Sequence, residues 1–290
     1  MNTLEKMRIP VCEVFASNGF QIEYMPDFLD NKEFDNYSPH VHSFYEIIWF
    51  KEGNGRHIVD FIEYEIKPNT IIFLAPGQIH HFDHNSYKGV SMKICSDFMN
   101  SDECSSSSFL KFSVFYSFES APCFYIDDVT ATKLDAILEL IETESKLVKE
   151  FGCTDMLHSL LRVFLIQAYR HGVKNGTFTL DNLKPSHQLF VRFRSLVECE
   201  YQRIHSVQDY AKKLNTNVRT LNKCVNECSG MSPLAYINGR IILEAKRLIR
   251  YSNLRIKEVA FILGYDDPSY FVRMFKRHTG FMATEFREAD

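Results

Sequence analysis

The sequence predicts an α+β chain of more than one domain: an N-terminal β-barrel of the jelly-roll kind, a helical hairpin, and an all-α C-terminal domain built as tandem helix-turn-helix. Three observations carry this. Short β-forming runs bounded by Gly, Pro and Asn recur up to about residue 126. Apolar residues then recur at helical spacing from Leu134 to Ala168. The last hundred residues carry one helical pattern twice.

The first strand-like run is Phe20-Gln-Ile-Glu-Tyr, which alternates. Tyr45-Glu-Ile-Ile-Trp-Phe is a dense β-forming run, and Gly55 to Phe61 and Glu63 to Ile66 flank a short connection. Pro68-Asn-Thr turns into Ile71-Ile-Phe-Leu, and Pro76-Gly77 marks the next turn. The polar run Ser105 to Ser108 reads as a loop tip.

Leu134, Ile137, Leu138 and Ile141 form a helical stripe that Leu147 and Val148 extend. Gly152 breaks it, and Thr154 is placed to cap a second helix carrying Leu157, Leu160, Leu161, Phe164, Leu165 and Ala168. Residues 172–187, with Gly172, Asn175, Gly176 and Pro185, read as a linker.

In the duplicated region, Val207/Ile256, Asp209/Glu258, Ala211/Ala260 and Leu214/Leu263 match at an offset of 49. Lys223/Arg273, Val225/Phe275, Gly230/Gly280 and Tyr236/Phe286 match at 50, which puts one extra residue in the second turn. Ala211 and Ala260 are small where a crossing helix must approach, and Asn215 and Gly264 stand where the chain leaves a helix with positive φ. Leu221/Val225 and Phe271/Phe275 are buried stripes of the second helices. The outer faces carry Arg219, Asn222 and Lys223 in the first unit, and Ser269, Val272, Arg273 and Lys276 in the second. Arg and Lys can pair with guanine, and Asn with adenine; a plain phosphate contact is the competing role for each. With Lys276 and Arg277, the second unit is the more basic.

Length and charge agree with a division of labour. The 290 residues exceed a comfortable single core. Residues 185–290 hold 17 Lys and Arg against 11 Asp and Glu, whereas residues 1–184 hold 16 against 26. The basic end suits nucleic acid and the acidic front another task. No apolar signal segment opens the chain, and no run approaches the ~20 apolar residues of a membrane span. Eight cysteines occur without a CxxC. Cys224 and Cys228 share a helix face but lack a second ligand pair, so reduced thiols and a cytoplasmic protein are expected.

The segment from about Gln188 to Arg287 resembles the DNA-binding domain of AraC/XylS-type transcriptional regulators. Ile256 to Gly280 carries that resemblance most strongly, with its Gly-aromatic turn and Ser269-Tyr-Phe start of the second helix; Ser232-Pro233 and the long helix bearing Arg240 and Ala245 also fit. Asn226 and Glu227 depart from it, standing where Lys is common. The resemblance implies two subdomains joined by the long helix, promoter duplex DNA and RNA polymerase as partners, and dimerisation through the helical hairpin. A buried hairpin within one subunit is the alternative.

In the front half, His40-x-His42-x3-Glu46-x6-Gly53 and Pro76-Gly-x-x-His80 resemble the two cupin motifs. In cupins such residues converge on a metal, and imidazole plus carboxylate suits iron, manganese or zinc. The family resemblance instead implies a cavity or scaffold without catalysis, so neither a catalytic residue nor a cofactor is assigned. If a metal is held, His40, His42, Glu46 and His80 are its ligands. The candidate effector residues are His42, Tyr45, Glu46 and His80, and 25 Phe with 14 Tyr suit a sugar or an aromatic molecule.

The expected organisation is therefore a sensory barrel at 1–128, a hairpin at 129–171, a linker at 172–187 and a DNA-binding domain at 188–290, with units at about 206–230 and 255–280. The expected function is a transcriptional activator. A metal-dependent cupin enzyme with a DNA-binding tail, or a ligand-free dimeric regulator, are the alternatives.

Overall fold

A computed structural model describes residues 8–12, 19–27, 29, 35–100, 114–115, 123–175 and 185–288. The run at Ser105 to Ser108 lies outside them. The chain divides into two compact units, residues 10–180 and residues 181–290, with Arg8 and Ile9 joining the second.

Among the described residues, the first unit holds ten strands: β1 (Val11–Cys12), β2 (Phe20–Met25), β3 (His40–His42), β4 (Tyr45–Glu52), β5 (Gly55–Val59), β6 (Ile62–Ile66), β7 (Thr70–Leu74), β8 (Ile79–Phe82), β9 (Lys88–Ile94) and β10 (Cys123–Tyr125). They form two five-stranded sheets that do not close on each other, ordered β1-β3-β8-β5-β6 and β10-β7-β4-β9-β2. Pairing is antiparallel except for β1 on β3.

The strand period of two divides the second sheet into two faces. Ile48, Phe50, Ile72 and Leu74 pack with Val59, Ile66 and Phe82 of the first sheet. Ile47, Trp49, Ile71 and Phe73 turn the other way and pack on Leu134, Leu138, Leu157 and Phe164. The central strand β4 is thus covered on both faces, which is why its sequence is a continuous apolar run rather than an alternating one.

The helices on that outer face are α2 (Asp128–Ser145) and α3 (Cys153–Lys174), preceded by the short α1 (Ser96–Asn100). Asp127 caps α2 by accepting from the Thr130 amide. Two local expectations are corrected. Leu147 and Val148 do not extend the stripe, because α2 ends at Ser145 and both side chains are exposed in the turn. Gly152, at φ 75°, is the residue before α3, and Thr154 lies inside its first turn rather than capping it. The linker is also shorter than 172–187. Gly172 is buried within α3, which runs to Lys174, and the next helix begins at Pro185. Packing around Ala168 and Tyr169 overrides the weak helix propensity of Gly.

The second unit comprises α4 (Pro185–Glu200), α5 (Val207–Lys213), α6 (Val218–Ser229), α7 (Pro233–Tyr251), α8 (Ile256–Ile262), α9 (Pro268–Thr279) and α10 (Ala283–Glu288). One apolar core, from Phe193 through Leu221, Ile241 and Leu248 to Phe271 and Phe275, joins all of it. The turn between α5 and α6 is residues 214–217, and that between α8 and α9 is residues 263–267, so the second is longer by the expected residue. Asn215 and Gly264 both have positive φ, 53° and 79°. α7 follows Ser232, which accepts from the Ala235 amide, and Pro233 at its first position needs no amide partner. Its 19 residues span about 28 Å.

α7 is fixed by charge as well as by apolar contact. Arg240 Nε donates to Glu198 Oε2 on α4 at 2.7 Å, and its Nη1 donates to Glu244 at 3.0 Å. Arg247 reaches the same Glu244 oxygen at 3.2 Å. Glu244 is fully buried. Burial alone would raise its pKa, but the guanidiniums of Arg240 and Arg247 outweigh that and hold it below the usual carboxylate range.

Candidate functional site

Two sites emerge, one in each unit. In the second unit, α6 and α9 are the second helices of the two helix-turn-helix motifs. Both begin on a polar cap: Asn217 accepts from the Thr220 amide, and Asp267 accepts from the Ser269 amide. Both end on a left-handed glycine, Gly230 and Gly280. α6 buries Leu221, Cys224 and Val225, and α9 buries Phe271, Met274 and Phe275.

Burying these stripes turns the opposite faces outward. Arg219, Asn222 and Lys223 are all exposed on α6, and Ser269, Arg273, Lys276 and Arg277 on α9. Val272 is half-buried against the core. Lys223 sits 3.7 Å from Glu227, and Arg273 sits 3.9 Å from Asp267. Exposed pairs of this kind are worth about 0–1 kcal/mol, so a phosphate or base edge can displace them. Sequence reasoning passed over Tyr270, whose ring is 51% exposed between Ser269 and the buried Phe271. The signal was present: an aromatic residue at the start of an amphipathic helix, on neither of its apolar positions.

In the first unit, four histidines and a glutamate meet between the sheets. The β3–β8 register sets His40 opposite His80, and the β8–β5 register sets His57 diagonal to it. Glu46 enters from β4 of the other sheet. All five side chains are buried. His57 Nε2 is 3.0 Å from His80 Nδ1, His80 Nε2 is 2.8 Å from His42 Nε2, and His42 Nδ1 is 3.3 Å from Glu46 Oε2. His40 Nδ1 lies 2.9 Å from the Ser38 carbonyl oxygen, and the Ser91 hydroxyl donates to Glu46 Oε1.

Burial is the main influence on the charge of this group. It pushes His40 down to about 4 and His57 to about 3, and holds His42 and His80 well below the usual histidine range. It pushes Glu46 up to about 7, against the pull of Lys93 and Ser91. Burial thus favours the uncharged form of all four rings.

The structure brings His40, His42, Glu46 and His80 together but not Tyr45. Strand alternation sends Tyr45 to the opposite face of β4, where its ring packs on Phe115 at 5.0 Å. His57 was missed in sequence because no motif includes it; only the β5–β8 register places it here. His81 is half-buried, and His84 stacks on Tyr37 at 4.7 Å.

Cys224 is buried and its Sγ donates to the Ser186 carbonyl oxygen, and neither Cys224 nor Cys228 is in a disulfide. Among the described residues, no helix is long and apolar enough to cross a membrane.

A pair of sheets with a polar histidine cluster, followed by two capped helix-turn-helix units on one core, defines a two-part regulator of the helix-turn-helix class. Comparison with known proteins agrees. Residues 31–95 match the AraC-like ligand binding domain family, and residues 210–289 match a helix-turn-helix domain family. The HTH-type transcriptional activator RhaS of Mannheimia succiniciproducens is 22% identical over 277 residues, covering 90% of this chain and 97% of that protein. The HTH-type transcriptional activator RhaR of Escherichia coli O139:H28 is 21% identical over 263 residues, covering 87% and 88%. Among solved structures, unsaturated fatty acid-bound ToxT from Vibrio cholerae is 17% identical with a TM-score of 0.38, covering 92% of this chain and 94% of that one.

The chain belongs to the AraC/XylS-type family of transcriptional regulators. It is a sequence-specific DNA-binding regulator with a ligand-binding type of N-terminal domain.

Proposed function

We propose that this regulator is an activator that reads promoter DNA with α6 and α9 and receives a small molecule in its β unit. The carrying observation is the pair of exposed polar helix faces, Arg219/Asn222/Lys223 and Ser269/Arg273/Lys276/Arg277, on one continuous core. Two such helices in one chain suit two successive major-groove segments about 34 Å apart. Arg219, Asn222, Lys223, Ser269 and Arg273 serve base edges, and Lys276 and Arg277 serve phosphates. RNA polymerase is the partner at an activated promoter.

The effector is a sugar or an aromatic molecule admitted near the polar end of the sandwich. Phe44, which stacks on His42 at 4.4 Å, supplies an apolar surface there, beside the polar cluster of His42, Glu46 and His80. Such a ligand acts by binding one arrangement of the protein better than another. The helical pair α2 and α3 exposes Leu140 and Val163, which suit a homodimer. A cytoplasmic location follows from access to DNA.

The test is selection of bound sequences from a random duplex library by the full-length protein, followed by fluorescence anisotropy on the selected site. A discrete consensus of two half-elements about one helical turn apart is the expected result. Sequence-independent binding would overturn the reading.

A further inference from the structure

Outside the DNA-reading faces, the densest chemistry in the chain is the buried histidine cluster. One nitrogen from each of His40, His42 and His80 lies within 4.8 Å of the others. The second nitrogen of each ring already has a neighbour. His40 Nδ1 faces the Ser38 carbonyl oxygen, His42 Nδ1 faces Glu46 Oε2, and His80 Nδ1 faces His57 Nε2. A neutral imidazole whose Nδ1–H donates outward presents Nε2 as its lone-pair nitrogen.

Three imidazole nitrogens within 4.8 Å of one another, on rings whose other nitrogens face a carbonyl, a carboxylate or another imidazole, match the construction of histidine metal sites. Glu46 adds a second, independent sign. Its Oε2 is buried with no hydrogen-bond partner, 3.3 Å from His42 Nδ1 and 3.8 Å from His80 Nε2. A carboxylate placed among imidazoles is suited to compensate a cation.

We propose that the β unit binds one divalent late first-row metal ion, such as Zn²⁺ or Co²⁺, through the Nε2 atoms of His40, His42 and His80. Glu46 and His57 are positioning residues: Glu46 places a carboxylate 3.3 Å from His42 Nδ1, and His57 Nε2 holds His80 Nδ1 at 3.0 Å. This differs from the ligand set that the motif resemblance implies, in which Glu46 is itself a ligand. Imidazole donors suit zinc, copper, iron and nickel better than magnesium or calcium. Zn–N bonds of about 2.0–2.1 Å set tetrahedral nitrogens about 3.4 Å apart. The His42 and His80 Nε2 atoms, at 2.8 Å, therefore separate by about half an ångström on binding. Three protein ligands leave a fourth position for water or an incoming molecule.

This site stands apart from the DNA-binding reading, and its test does not depend on DNA. Full-length protein is stripped with a chelator, dialysed, and loaded with Zn²⁺ or Co²⁺. Bound metal is counted by elemental analysis, and Co²⁺ geometry is read from its visible absorption. The expected result is one ion per chain, with a four-coordinate Co²⁺ spectrum lacking thiolate charge-transfer bands. His80→Ala loses the ion. Glu46→Gln keeps one ion per chain but binds it about 10–100-fold more weakly. Retention of the ion by a folded His80→Ala protein overturns the proposal, as does failure of the native protein to retain any. If His80→Ala does not fold, the native Co²⁺ spectrum decides, since thiolate bands would move the metal to the cysteines. DNA anisotropy on the same samples shows separately whether the regulator itself is intact.

Discussion

A Cβ placed on Gly264 would stand 2.1 Å from the carbonyl oxygen of Gln202. The second helix-turn-helix therefore closes against the end of α4 with no room for a side chain, at a residue whose φ is 79°. Asn215, the matching residue of the first unit, has φ 53° and an exposed side chain. Gly264→Ala is expected to be strongly destabilising. The left-handed conformation alone costs an L-residue about 1–2 kcal/mol, and the overlap with backbone adds to it. Asn215→Gly is expected to change stability by no more than about 0.5 kcal/mol. Urea unfolding of the two variants checks this, and equal effects would contradict the packing argument.

The buried carboxylate of Glu244 gives the second unit an acid dependence. Its pKa is depressed in the folded protein, so its contribution is fully present above the ordinary value of about 4.5 and is lost as pH falls through the depressed one. Glu244→Gln removes the carboxylate that Arg240 and Arg247 share and is expected to cost about 3–5 kcal/mol at pH 7. The variant should then lose less than the native protein on further acidification. Urea midpoints between pH 7 and pH 3 measure this; parallel curves for the two proteins would refute it.

The readability of these elements in sequence differed for physical reasons. The tandem units were legible down to the extra turn residue, because duplication displays the same buried stripe, Leu221/Val225 and Phe271/Phe275, twice. The strands β4 and β7 were legible because β-branched and aromatic residues crowd them. The partition of β4 into two faces was not, since covering both faces erases the alternation that would separate Tyr45 from Glu46. His57 joins the cluster through register across three strands, which no local motif encodes. The true end of α2 was hidden because Leu147 and Val148 fit the helical period yet stand exposed in the turn.

The hairpin offers a test of dimerisation. Leu140 on α2 and Val163 on α3 are 56% and 43% exposed. If the regulator dimerises through this hairpin, Leu140→Arg or Val163→Arg should shift it toward monomer without lowering its unfolding midpoint. Sedimentation velocity at several concentrations reads the change. A dimer that survives both substitutions would place the interface elsewhere.

The two recognition helices should divide the energy of DNA binding unequally. α9 carries three exposed basic residues, Arg273, Lys276 and Arg277, the last two in its final turn. α6 has Arg219 and Lys223, and Lys223 already faces Glu227. Each phosphate neutralised contributes about 0.9 to the slope of log affinity against log salt. Replacing Lys276 and Arg277 together by Ala should therefore flatten that slope by about 1.8 and weaken all sequences alike. Arg273 is one helical turn nearer the N-terminal end, the end from which helix-turn-helix proteins contact base edges. Arg273→Ala should instead cost about 1–3 kcal/mol at one base pair and relax the preference there. Anisotropy titrations over a salt series, on the selected site and on its single-base variants, separate the two behaviours. Uniform weakening by Arg273→Ala would reassign that residue to a phosphate.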